Sequence, residues 1–188
     1  QKLLAVQQDA CRANIRHLES IEASLDSSTR LAEIAEIQEE LIASGYLHEK
    51  MPKKNKDRRA QPFSFTAPDG MTILVGKNNI QNDALTFRTA APTDLWLHVR
   101  DIPGSHVILR TGGTAPSEET LHLAAQIAAH FSKARGSSTV PVDYTAIRFV
   151  KKPSGSVPGF VRFTHEKTLF VTEDEEALAP ILAQDPTV

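Results

Sequence analysis

The sequence predicts an α+β fold, a largely antiparallel sheet with two covering helices, preceded by an N-terminal helical hairpin. Three observations carry this. Apolar residues recur at helical spacing through residues 1–44, strand-like runs in neighbouring pairs separated by Pro and Gly turns begin at Gln61, and only two helical stretches interrupt those runs. Paired strands point to an antiparallel sheet, with helices laid over a face of it.

Taken in order, Leu4, Cys11, Leu18 and Leu25 recur every seven residues with Ile15 interleaved, an apolar seam along one helix. Asp26-Ser27-Ser28-Thr29 supplies capping residue types. Leu31, Ile34, Ile37 and Leu41 then form a second stripe ending at Ser44-Gly45. Residues 1–49 are thus expected to be a hairpin at the end of a coiled-coil region. Residues 50–60 hold a basic, Pro-containing run from Lys50 to Arg59 and read as a linker, leaving 61–188 as the α+β domain.

Phe63 to Phe65 and Met71 to Val75 flank Pro68-Asp69-Gly70, a hairpin signature. Gly76 to Asp83 is an amide-rich loop, and Ala84 to Thr89 reads as a short helix. A Gly-Lys pair leaves the preceding strand, but the spacing of a phosphate-binding P-loop is absent. In Asp94 to His106, Leu95, Leu97 and Val99 alternate with Trp96, His98 and Arg100, so a strand here sends aliphatic side chains to one face and functional ones to the other. Pro103-Gly104 is expected to turn with Gly at positive φ, before a strand from His106 to Arg110.

Ser117 caps an Ala-rich helix running to about Arg135. Val140 to Val150 is extended, Lys151 to Gly159 is a loop, and Phe160 to Phe163 and Thr168 to Val171 read as strands meeting at His165-Glu166. The acidic tail from Glu173 reads as a short helix ending near Pro180. One sheet face, or its loops, is left for a partner.

Composition bounds the function. The 188 residues are 40% hydrophobic and 23% charged, an ordinary globular balance, with no apolar run long enough to span a bilayer, so no membrane insertion is expected. One cysteine excludes an intramolecular disulfide framework and a multi-Cys zinc site. A chain that begins at Gln1 reads as a fragment. The net charge of −2 hides segregation: residues 61–172 carry eleven basic against eight acidic residues, and 173–188 carry five acidic and no basic ones. A mildly acidic whole therefore contains a basic part suited to a polyanion.

Ser105 and His106, with Asp101 and His98 near, raise a hydrolytic reading. Adjacent residues in an extended chain point to opposite faces, and the glycine-flanked nucleophile elbow is missing, so no catalytic residues are assigned. A metal at His98, Asp101 and His106 is possible by ligand type, but these side chains are better explained as pinning the Pro-Gly loop, so no metal or cofactor is assigned.

Leu74-Val-Gly-Lys-Asn-Asn79, Asn82-Asp-x-Leu-Thr86, the Asp94 to His106 segment, Thr120-Leu with Ala124-Ala, Val140-Pro-Val-Asp-Tyr144 and Val150-Lys-Lys-Pro-x-Gly-x-x-Pro-Gly159 together resemble the NFACT-R domain. That domain closes the fibronectin-binding protein A family, which includes bacterial ribosome quality-control factors. The resemblance spans about Gln61 to Thr172. It implies a non-catalytic, cytoplasmic RNA-binding module of a ribosome quality-control factor. Its implied partners are transfer RNA and the obstructed large ribosomal subunit, engaged during C-terminal tailing of stalled chains. The alternative it implies is a surface adhesin that binds fibronectin. RNA asks for cations near planar groups. Lys77, Arg100, Lys151, Lys152 and Arg162 supply charge, Trp96 and His98 planar surfaces, and Asn78, Asn79, Ser105 and His106 polar contacts at the loops.

Overall fold

The computed structural model describes residues 2–28, 30–50 and 60–185. Two helices, α1 (Lys2–Asp26) and α2 (Leu31–Ala43), form the expected hairpin. The basic run expected at 50–60 falls mostly on residues 51–59, outside the described residues. The remainder is an α+β domain. Its six-stranded sheet comprises β1 (Phe63–Thr66), β2 (Thr72–Val75), β3 (Leu95–Val99), β4 (Val107–Arg110), β5 (Val140–Ala146) and β8 (Lys167–Val171). The order is β1-β2-β4-β3-β5-β8, and every neighbouring pair is antiparallel.

The alternation read in β3 is realised. Leu97 and Val99 join Phe65, Ile73, Val107 and Leu109 in a core closed by α4 (Glu118–His130). Ala124, Ala125, Ala128 and Ala129 let that helix lie close, and each fully buried Leu, Ile or Val contributes roughly 1.5–3 kcal/mol. Ser117 caps α4 by accepting from the Thr120 N–H. The tail forms α5 (Glu175–Leu182), which places Leu178 and Ile181 in the same core and carries Pro180 inside the helix.

The opposite face is covered too, against the expectation of an open face. Trp96 and Ile108 pack with Leu85 and Val150, and Phe163 and Val161 lean on them. The cover comes from α3 (Asn79–Ala84), the π-helical turn Leu85–Thr89 that continues it, and a two-stranded ribbon, β6 (Val150–Lys151) with β7 (Arg162–Phe163). The strands expected to meet at His165-Glu166 therefore belong to different sheets. Phe163 turns to Val150, whereas β8 pairs with β5. Trp96 offers an apolar surface that only the first of them can cover.

Two expectations from periodicity are largely reversed, although Ile37 of the α2 stripe is buried as expected. Leu4, Cys11, Ile15, Leu18 and Leu25 of the α1 seam are exposed, and α1 buries His17 and Ile21 instead. On α2, Leu31 is 86% exposed and Ile34 is also exposed, while Glu33, Glu36, Ile37 and Glu40 are buried. The surface beneath α2 is the polar loop after β2, and a carboxylate-bearing face satisfies its donors where leucines would not.

The turn after β3 also differs. Its positive φ belongs to Asp101, at 57°. Gly104 serves close approach: a Cβ there would lie 2.7 Å from Cβ of Ser132. The Lys133 N–H donates to the Pro103 carbonyl and the Ser105 N–H to the Phe131 carbonyl, each at 2.9 Å, which stitches the turn to the end of α4.

Candidate nucleic-acid interface

The eleven residues singled out above separate into several places. Lys77, Asn78 and Asn79 are buried beneath the helical hairpin. Lys77 Nζ meets Glu33 Oε1 at 3.0 Å and lies 3.9 Å from the Phe63 ring centroid. Asn78 Nδ2 donates to Glu36 Oε2 at 2.7 Å, and Gln81 Nε2 donates to the same oxygen at 2.8 Å. Asn79 Nδ2 donates to Glu40 Oε1 at 2.8 Å, where His17 Nε2 also sits at 2.9 Å, and Ser20 Oγ donates to Asn79 Oδ1. Asn78 caps α3 through the Gln81 N–H at 2.9 Å. This is a dehydrated polar clasp between hairpin and domain. Glu33, Glu36 and Glu40 look like a solvated helix face in the sequence, which hides it.

Trp96, His98, Arg100, His106 and Asn79 come together along a cleft of about 480 Å³. Its other walls are α1, through Arg16, His17 and Ser20, and the end of the Lys151 to Gly159 loop with Phe160 and Phe163. Trp96 is 1% exposed, and His98 stacks on it at 5.6 Å with 9° between planes. His106 meets both rings edge-on, at 5.3 and 5.6 Å.

Burial drives the His106 pKa down to about 3, with the neighbouring His98 adding to the effect, and burial likewise lowers that of His98. Both imidazoles are neutral at pH 7. His106 Nδ1 lies 2.8 Å from Thr86 Oγ1, and its backbone N–H donates to Asn82 Oδ1 at 3.0 Å. Arg100 forks onto Asp143, with Nε at 3.0 Å and Nη2 at 2.6 Å, and also contacts Thr168. The hydrogen bonds to Asp143 and the Asp143 charge raise the Arg100 pKa further. Arg100 thereby ties β3, β5 and β8 together, as buried Asp94 ties the start of β3 to Arg110 and the Thr111 N–H.

Lys151 and Arg162 face solvent in directly opposed positions of the β6–β7 ribbon, while their neighbours Val150 and Phe163 point into the core. Lys152 pairs with Asp83, whose other oxygen accepts the Gly159 N–H at 3.0 Å, so one carboxylate holds both ends of the loop. Just before β6, Phe149 stacks with His165 at 4.2 Å, and the Arg148 guanidinium lies 4.9 Å from the Phe149 ring centroid. His165 holds a left-handed φ of 59° to present that ring. The Arg-Phe doublet at 148–149 is the sequence signal for this group, and it is not among the residues singled out above. Among the described residues, no cluster of three or more His, Cys, Asp or Glu is placed to hold a metal ion. No helix among them is long and apolar enough to cross a membrane.

Residues 61–163 match the family described as NFACT protein RNA binding domain. The Rqc2 homolog RqcH of Bacillus subtilis is 50% identical over 155 residues, covering 81% of this chain and 27% of that protein. The Rqc2 homolog RqcH of Streptococcus suis is 47% identical over 168 residues, covering 89% and 30%. The chain thus spans under a third of the length of these curated relatives. Among solved structures, the C-terminal part of the fibronectin/fibrinogen-binding protein from Streptococcus suis superposes with a TM-score of 0.83 at 44% identity, covering 96% of this chain and 72% of that one.

Proposed function

This chain belongs to the NFACT protein RNA binding domain family, and from that membership we propose that it is the non-catalytic RNA-binding module of a cytoplasmic ribosome quality-control factor. Its partners in this reading are transfer RNA and the large ribosomal subunit, engaged while stalled chains are tailed.

The observation that carries the reading is the opposed pair Lys151 and Arg162. Like charges placed directly across a ribbon repel, and no ion pair or hydrogen bond relieves either of them among the described residues. A phosphate between them converts that repulsion into two attractions. The Arg148–Phe149–His165 stack, just beyond the Val150–Phe163 end of this two-residue ribbon, supplies the planar surface on which an unpaired base rests. Here Lys77, Asn78 and Asn79 position the hairpin, and residues 50–60 join it to the domain.

Fluorescence anisotropy with labelled transfer RNA and an unstructured oligoribonucleotide, repeated across a salt series, tests this. Binding that weakens linearly in log salt is expected, with co-sedimentation on large subunits at low salt. Binding that is absent, or indifferent to salt, overturns it.

A second reading is protein recognition in a fibronectin-binding role. It is supported by Phe170, 66% exposed on β8, one of the two edge strands of the sheet. Saturable capture of fibronectin that is lost in Phe170→Lys, with RNA binding intact, is the result that would favour it.

A further inference from the structure

We propose that the cleft between α1 and the turn after β3 receives one unstacked nucleobase of a bound RNA strand. This rests on the RNA-binding reading and adds to it a specific seat, away from the phosphate-facing pair Lys151 and Arg162.

The cleft, at about 480 Å³, lies within the roughly 300–1,000 Å³ typical of small-molecule sites. Its lining suits a flat occupant. The parallel Trp96 and His98 rings lie on one side, with Phe160 and Phe163 contributed by the neighbouring loop and ribbon. Base faces stack on aromatic and imidazole rings whatever their sequence.

Charge excludes an anion from the interior. His98 and His106 are neutral there, Arg100 is committed to Asp143, and Glu19, Asp101 and Asp143 all border the space. Arg16 of α1 is an exposed cation among the lining residues, placed to meet a backbone phosphate at the rim. A purely apolar occupant fits no better, because Ser20, Asn79 and Asn82 bring polar groups to the wall. The indole Nε1–H of Trp96 is buried with no hydrogen-bond partner, an unmet donor beside the cleft. A base carbonyl or ring nitrogen is the acceptor it lacks. Uncharged, planar and polar-edged together describe a nucleobase.

Trp96 is the sole tryptophan, so its emission reports occupancy of the cleft directly. The full chain is titrated with an oligoribonucleotide, with the same oligomer made abasic, with the free nucleoside 5′-monophosphates and with ribose 5-phosphate. Anisotropy follows RNA binding in parallel. A saturable emission change with the base-bearing oligomer alone, or with it far more tightly than with monophosphates, supports the proposal. Phe160→Ala, at an exposed rim position, then weakens that change about tenfold or more. An unchanged emission while anisotropy reports bound RNA overturns the base seat and leaves the RNA reading standing. An equal response to abasic oligomer or ribose phosphate overturns it in favour of a phosphate site, and tighter binding of free monophosphates overturns the strand as the source. No binding by either signal sinks the underlying RNA reading.

Discussion

Lys77 Nζ sits 3.0 Å from Glu33 Oε1, with both side chains almost wholly withdrawn from water. A buried ion pair of this kind adds little net stability over an apolar pair of the same shape, since both charges lose their hydration. Its effect is directional. An α2 turned or slid by one residue would leave Lys77, Asn78 and Asn79 facing no acceptor, so the clasp selects one docking of the hairpin.

Glu36 shows what the clasp is worth. It accepts from Asn78, Gln81 and the Ala60 N–H, and Glu36→Ala strands the buried Asn78 donor and removes a partner from Gln81 and from the half-buried Ala60 N–H. At roughly 1–3 kcal/mol for an unsatisfied buried group, a loss of about 3 kcal/mol or more in urea unfolding is expected. Glu39→Ala, on a partly exposed position of the same helix, is expected to change stability by less than about 0.5 kcal/mol. Equal losses in the two variants would refute the clasp.

Lys151→Glu has two effects of opposite sign. In the free protein it turns a repulsive cross-strand pair into an attractive one with Arg162, raising stability by roughly 0.2–1 kcal/mol. Toward RNA it removes one cation from the phosphate and adds repulsion, and the salt slope for single strands falls by about 0.7 for each phosphate no longer neutralised. Paired melting and anisotropy measurements check both signs. Arg162→Glu is expected to behave the same way, and the double reversal to lose RNA binding altogether.

The His106 pKa, about 3 in the folded protein, lies well below the ordinary imidazole value of about 6.5, which the unfolded chain retains. Between those values the unfolded chain binds the extra proton. Its contribution is therefore complete above about pH 6.5 and declines as the pH falls toward about 3. His98, lowered in the same sense by burial, adds to the decline. The difference in unfolding free energy between the wild type and His106→Gln should shrink steadily over this window. A constant difference would mean that the imidazole is not buried as described.

Gly104→Ala forces a Cβ to 2.7 Å from Ser132 Cβ, with backbone on both sides of the contact. The turn must lift off α4, breaking the bonds from the Ser105 and Lys133 N–H groups. A cost of about 1–3 kcal/mol is expected, together with a shift in Trp96 emission as the cleft floor moves. Gly113→Ala, in an open loop where φ is positive but nothing crowds an added Cβ, carries only a backbone penalty and serves as the comparison.

Much of the fold is legible in the sequence because it obeys one rule at a time. Leu95, Leu97 and Val99 alternate, Ser117 caps, and Ala124 to Ala129 leave room for a sheet. What is illegible depends on two distant stretches at once. Glu33, Glu36 and Glu40 are buried only because Lys77 to Gln81 provide donors, and no local period reveals that pairing. The same holds for the candidate site. Trp96 and Lys151 both stand out in the sequence, but the ribbon that buries one beneath the other's strand rests on a two-residue ladder, too short to see there. The Phe149–His165 stack is hidden because its members lie sixteen positions apart, on segments of which one is expected to form a hairpin with β8.

The family pattern starts at residue 61, yet the acceptors for Lys77, Asn78, Asn79 and Gln81 lie between residues 33 and 40. A chimera that joins the hairpin of one relative to the domain of another would put unmatched donors and acceptors face to face, even if each half came from a well-behaved parent. Glutamates on α2 and amides after β2 should therefore be inherited as a matched set, and drift at either end would be tolerated only when the other end follows.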